Sequence, residues 1–247
     1  MKLDIPSTKD KCIEWIREWF KNNGDVETKA VIGISGGKDS TVTAALCVAA
    51  LGKERVVGVM MPNGEQKDIS DSIKVCETLG IENYTINIGP AYEALTKVIC
   101  TGEVNSLYST NTPARIRMVT LYGKAAEIGN ARVANTCNLS EDYVGYSTKW
   151  GDATGDFSPL SKLTKTEVVA IGDALGLPYE LTHKTPSDGM CGKSDEDNLG
   201  FTYDELDKYI RNTEAIRPAV VEKIEKLHKH PNTAKKLVVF DVFDPEK

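Results

Sequence analysis

Along the first half of the chain the spacing of apolar positions switches repeatedly between the helical period and unbroken strand-like runs. Residues 8–22 (TKDKCIEWIREWFKN) bring Cys12, Ile16, Trp19 and Phe20 to one face at helical spacing, and Asn23-Gly24 ends the run. A strand is predicted at 29–34, followed by glycines. Residues 40–51 (STVTAALCVAAL) are apolar nearly all round, as in a helix packed on several sides. The stretch 55–61 (RVVGVMM) has no alternation, the mark of a parallel strand covered on both faces. A helix over 68–80 closed by Gly80, a strand over 83–88, a helix over 113–129 with Pro113 in its first turn, and a strand over 131–135 complete the alternation. The expected fold is α/β: a doubly wound, mostly parallel sheet with helices on both faces.

Beyond residue 136 the pattern changes. Residues 137–160 are rich in Gly, Asp, Ser and Thr, a long connection of the kind a compact domain keeps for function. Two capping boxes open helices, Thr164 with Glu167 and Thr202 with Glu205. Residues 184–200 (KTPSDGMCGKSDEDNLG) look like a mobile lid, and 218–236 like a charged helix and its exit.

Composition narrows the functions. The net charge of -6 leaves no surplus of cations for enveloping nucleic acid, but a small phosphorylated ligand needs only a few. No apolar run is long enough to span a bilayer, and MKLDIPSTKD lacks the core of a signal peptide. The six cysteines are never closer than 24 residues (Cys76 to Cys100), so CxxC redox chemistry and zinc ribbons are excluded. Reduced thiols and a cytoplasmic setting are expected.

The chemistry concentrates in AVIGISGGKDST (30–41). Ile32 stands where a Walker A loop needs its first glycine and Asp39 where it needs Ser or Thr. Ser35 breaks the dinucleotide fingerprint after Gly33. What remains is strand, SGGxDS, helix. Gly36 and Gly37 allow a tight turn that points N–H groups at one spot, and the following helix adds its positive end. Ser35 and Ser40 offer hydroxyls to phosphate oxygens. Asp39 would repel a bare phosphate, so it implies a Mg²⁺ between them.

SGGxDS resembles the loop of N-type ATP pyrophosphatases, which grips the outer two phosphates of ATP and cleaves between α and β. Four further stretches are similar to ammonia-dependent NAD⁺ synthetases: NTPARIRM (111–118, with Asn111, Arg115 and Arg117), NTCNLSEDYVGYSTKWGDATGDFSPLSKLTKTEV (135–168), KTPSDGMCGKSDEDNLGFTYDELD (184–207), and EKIEK (222–226) with Lys235 beyond. The resemblance as a whole covers nearly all of residues 8–236. The family often has Arg where Met60 stands and His where Ala234 stands.

The resemblance implies an adenine nucleotide alpha hydrolase-like fold. It implies one synthetase domain over 1–247: a nucleotide-cleaving core at about 25–180, the loop at 184–200 and a helical segment at 202–236. It implies ATP bound by Gly33, Ile34, Ser35, Gly36, Gly37, Lys38, Asp39, Ser40, Thr136, Lys165 and Ser187, and Mg²⁺ held by Asp39 and Glu141. Arg115, Lys149, Asp156 and Lys235 would bind deamido-NAD, with Asp39, Lys165 and Asp156 carrying the chemistry. Expected partners are small molecules (deamido-NAD, ATP and ammonia), with ammonia free or delivered by a separate protein, since no glutamine amidase domain is expected before the loop. A homodimer with the dinucleotide site at its interface follows from the family, and helices 8–22 and 113–129 offer apolar faces for it. Two rivals stand beside this. A tRNA-thiolating enzyme of the same superfamily calls for paired cysteines and a basic platform. A non-catalytic adenine-nucleotide sensor calls for no Asp-plus-Glu metal site.

Overall fold

A computed structural model of the chain describes residues 3–66, 69–183, 195–230 and 241–245. The elements in chain order begin with α1 (Ile5–Asn23), β1 (Lys29–Gly33), α2 (Lys38–Leu51), β2 (Val56–Met60), α3 (Ile69–Leu79), β3 (Glu82–Thr85), α4 (Gly89–Ile99), α5 (Ser106–Ile128) and β4 (Ala131–Val133). After these come α6 (Leu139–Val144), β5 (Phe157–Ser158), α7 (Lys165–Ala174), α8 (Tyr179–Thr182), α9 (Asp195–Leu199), α10 (Tyr203–Arg211), α11 (Pro218–His228) and β6 (Asp241–Val242).

The four-stranded sheet runs β3-β2-β1-β4, every pair parallel. Alternation across the pleat sorts the apolar side chains of β1. Ala30 and Ile32 join a core with Cys12, Ile16 and Phe20 of α1, Leu46 of α2 and Ile171 of α7. Val31 turns the other way, onto Met118, Leu121 and Ala125 of α5. β2 is buried along its whole length, as a central parallel strand requires. A bridge from Ala134 to Phe157 extends the sheet past β4, and β6 pairs with β5 beyond it. Phe157 is fully buried and stacks on Trp19, with centroids 4.8 Å apart. Removing that ring should cost about 3–5 kcal/mol. A third core joins Val144 of α6, Tyr203 and Leu206 of α10 and Ile224 of α11.

Several sequence expectations are corrected. Pro113 lies inside α5, not at its start. The helix begins seven residues earlier at Ser106, where the side chain of Asn105 accepts from Tyr108 N at 3.0 Å and so caps the first turn. α4 was not anticipated, because among its residues Gly89 alone is buried and Val98 and Ile99 point outward. β3 is a shorter, mostly exposed edge strand, although Ile86 N and Ile88 N still bond to Met60 O and Pro62 O. The stretch 137–160 contains α6 and β5. The apolar face of α1 is consumed within the core, so that helix has none to offer a second subunit. Both capping boxes are present.

Candidate active site

The chain steps from β1 outward to β3 and returns to β4 on β1's other side. That reversal opens a crevice at the carboxyl ends of β1 and β4, where ligands of open α/β sheets bind. The glycine loop leaves β1 into this crevice. Gly36 has φ +76°, and a Cβ there would lie 2.8 Å from Asp71 Cβ on the first turn of α3, so both conformation and space demand glycine. The loop is self-bonded. Ser40 Oγ donates to Gly37 O at 3.0 Å, Thr41 Oγ1 donates to the same oxygen at 2.8 Å, and Gly37 N donates to Ser35 Oγ at 3.2 Å. Ser40 is buried and serves the loop's shape, while Ser35 is exposed.

α2 starts at Lys38, two residues earlier than the pattern suggested. Its first-turn amides have no intrahelical acceptors, and Asp39 sits at the positive end of the dipole. Burial, reinforced by the Lys165 ammonium, lowers the pKa of Lys38.

From β4 the chain enters α6, capped by Asn138, whose Oδ1 accepts from Glu141 N at 3.1 Å and whose Nδ2 donates to Asp39 Oδ1 at 2.9 Å. One carboxamide thereby holds the Asp39 carboxylate and the backbone N–H of Glu141. Lys165, the first residue of α7, places its ammonium between them, 3.0 Å from Asp39 Oδ2 and 2.5 Å from Glu141 Oε1, with the Tyr203 ring 4.6 Å away. Burial pushes the Glu141 carboxyl up to about 7 against the pull of Lys165. Burial disfavours the Lys165 ammonium too, but Asp39 and Glu141 outweigh it and raise its pKa.

Behind this, Asp207 of α10 accepts from Ser140 Oγ and, at 2.8 Å, from Thr166 N. Ser140 Oγ in turn accepts from Lys165 N at 2.9 Å. Arg211 forks onto Glu167 at 2.8 and 2.7 Å, locking α10 to α7.

Asp39 and Glu141 are two hard oxygen donors already aimed at one cation, the Lys165 ammonium. Among the described residues no cluster of three or more His, Cys, Asp or Glu surrounds a metal position. Two carboxylates leave room for phosphate oxygens and water, the donor set that suits Mg²⁺ in nucleotide sites.

The residues expected to bind the second substrate form another group, backed by α5. Arg115 Nε donates to Lys149 O at 3.2 Å, Thr148 Oγ1 donates to Asn111 Oδ1 at 2.9 Å, and Tyr122 OH donates to Asp156 Oδ1 at 3.0 Å. The other Asp156 oxygen accepts from Val133 N at 2.7 Å, so both oxygens are already engaged. Trp150, which the sequence did not single out, is 59% exposed and holds φ 63°, a region costly for an aromatic residue. It sits in a turn closed by Gly151 N and Ala153 N on Thr148 O, a Cβ on Gly151 would lie 3.0 Å from Ala114 Cβ, and Lys149 Nζ lies 5.3 Å from the indole. Thr136 is half-exposed at the end of β4, between buried neighbours Asn135 and Cys137. Ser187, Lys235, Ala234 and Cys191 lie outside the described residues, as does most of the expected lid. Asn138, Ser140 and Asp207 escaped sequence reasoning, although Asn-Leu-Ser-Glu is a helix-capping pattern that pointed to the first of them. Cys12, Cys47, Cys76 and Cys137 are buried free thiols, and burial raises the pKa of each.

The family model for NAD synthase matches residues 9–239. The NH(3)-dependent NAD(+) synthetase of Pyrococcus furiosus is 35% identical over 96% of this chain and 95% of its own length. The solved NMN synthetase of Francisella tularensis superposes with a TM-score of 0.86 at 33% identity, over 96% of this chain and 98% of that one. The NH3-dependent NAD synthetase of Campylobacter jejuni gives 0.78 at 27%, over 98% and 100%. The sheet and its crevice are those of the adenine nucleotide alpha hydrolase-like fold. With its glycine loop, its paired carboxylates and near full-length likeness to these C–N bond-forming ligases, the chain belongs to the NAD synthase family.

Proposed function

We propose that this protein amidates deamido-NAD with ammonia, splitting ATP into AMP and pyrophosphate. What carries the reading is the convergence of Asp39, Glu141 and Lys165 on one point beside the glycine loop. A carboxylate is a poor electrophile and does not accept ammonia directly. The nicotinate carboxylate attacks the α-phosphorus, the bond to pyrophosphate breaks, and an acyl adenylate forms. Ammonia then attacks the acyl carbon, the bond to AMP breaks, and NAD⁺ is released after loss of a proton.

The first-turn amides of α2, with Lys38, hold the outer phosphates. Lys165 offers its ammonium to the departing pyrophosphate, where preorganised charge has its largest effect. Asp39 and Glu141 would hold Mg²⁺, which when bound offsets charge growing on the phosphates. Thr136 lies where the nucleotide enters, and Ser187 and Lys235 complete the proposed set. Arg115 and Lys149 bind the dinucleotide. Asp156 orients it, because both of its oxygens are occupied; this favours positioning over proton abstraction. Ammonia as donor is supported by relatives named NH(3)-dependent.

The working form is a homodimer in the cytoplasm. Val98 and Ile99 of α4 and Leu107 and Val119 of α5 expose apolar side chains, the last two on the helix that carries Arg115, which supports a dinucleotide site at the subunit interface. Among the described residues no helix is long and apolar enough to cross a membrane.

A second reading takes the pyridine mononucleotide acid as substrate, and the likeness to a synthetase named for NMN favours it. One assay separates the possibilities: enzyme, ATP, Mg²⁺ and ammonium with either acid, following amide and AMP. Deamido-NAD should give NAD⁺ and AMP in equal amounts. ADP in place of AMP would overturn the mechanism, and turnover of the mononucleotide alone would establish the second reading.

A further inference from the structure

Arg117 lies in mid-α5 with its guanidinium half-buried at the carboxyl end of β2. Its Nε donates to Met61 O at 3.0 Å. Among the described residues no carboxylate stands within ion-pair distance of it, and its terminal nitrogens have no protein acceptor; Asp152 acts on it from further off. An arginine on a helix is ordinarily solvated or ion-paired; this one is half-buried and, among the described residues, without an ion pair. Arg211, similarly enclosed, is paired in a fork to Glu167. Arg115, two residues away on the same helix, is anchored like Arg117, by Nε to a loop carbonyl, but is exposed.

A charge taken partly out of water without a partner is unfavourable, and a guanidinium tethered through Nε presents its two-pronged edge outward. Burial accordingly lowers the Arg117 pKa. The position is specific. A Cβ on Gly33, at the mouth of the glycine loop, would lie 3.2 Å from Met61 Cε and 3.4 Å from Leu121 Cδ1. The side chains of Met61, whose carbonyl tethers Arg117, and of Leu121, one turn after it, therefore pack against the end of β1 from which that loop departs.

We infer that Arg117 binds the α-phosphoryl oxygens of the adenine nucleotide, one strand over from the amides that take the outer phosphates. This rests on the ATP-cleaving reading above. The guanidinium would neutralise the phosphoryl group that the carboxylate attacks and remain on AMP after pyrophosphate leaves.

AMP and adenosine differ by that group alone, so their affinities for the intact enzyme form the test. Titration calorimetry on wild type, Arg117→Met and Arg117→Lys should show AMP bound more tightly than adenosine by wild type. Arg117→Met should lose about tenfold or more of AMP affinity, the scale of a charge-assisted pair, with adenosine unchanged. Arg117→Lys, which keeps the stem and the charge, should fall between. In turnover, KM for ATP should rise while KM for the acid substrate holds. Equal losses for AMP and adenosine, an unchanged preference in either variant, or no preference in wild type would overturn the inference. AMP formation by wild type tests the reading beneath it separately: an active wild type with an unaltered Arg117→Met sinks only the role of Arg117.

Discussion

Around Lys165 each charged group meets another: the ammonium meets Asp39 and Glu141, and Asn138 bonds to the Asp39 carboxylate and to the backbone N–H of Glu141. Around Arg115 the side chains are tied to backbone carbonyls or to the rim, and an indole stands exposed. The first neighbourhood is preorganised. Two acids already share one ammonium, and a site fixed in this way would need little rearrangement in a chemical step. The second is a shelf. Arg115 and Trp150 are uncovered, and apolar side chains of α4 and α5 are exposed. Closed networks suit the part of a reaction in which charge moves, and open ones suit the part in which a large substrate enters and leaves.

This contrast can be broken experimentally. Asp39→Asn should lower turnover by about 10³-fold, the several kcal/mol a metal supplies, with the circular dichroism spectrum and Tm preserved. Retained activity would place the metal elsewhere. Lys165→Met should cost about 10²- to 10³-fold in kcat. It should also lower the metal-free Tm, since two acids lose their shared cation at a cost on the order of 3–5 kcal/mol, and Mg²⁺ should restore part of it. Arg115→Ala should raise KM for the dinucleotide about tenfold with KM for ATP unchanged. A matching rise for ATP would show that the two neighbourhoods are not independent. Val98→Asp with Leu107→Asp should have the smallest effect on ATP binding, none measurable, while sedimentation reports monomer and dinucleotide affinity falls.

Much of the first neighbourhood was legible in the sequence. SGGKDS declares its chemistry in consecutive residues, and a capping box located the helix that Lys165 opens, but Glu141 and Lys165 were singled out by the family resemblance. Asp207 was illegible because it lies 67 residues from Ser140 and signals nothing until α10 docks on α6 and α7. Trp150 was missed for a different reason: its positive φ belongs to a turn closed by Gly151 N and Ala153 N on Thr148 O, and its sequence carries no signal for that conformation. α5 shows the limit of local rules. Pro113 is a strong start signal, yet the Asn105 cap upstream and burial of Met118, Leu121 and Ala125 downstream carried the helix through it. The exposed face of α4 has no periodic signal toward its own core, so a pattern search passes over it.

The rim of the sheet sets an order of events for the folding chain. Trp19 Nε1 donates to Asp241 Oδ2 at 2.8 Å across 222 positions, clasping β6 over β5. Drawing such distant segments together costs about 2 kcal/mol more in chain entropy than closing a loop of about 20 residues. The central strands, joined by nearby crossovers, are therefore favoured to assemble first and the clasp to shut last. Refolding followed by Trp19 fluorescence should lag behind the return of ellipticity.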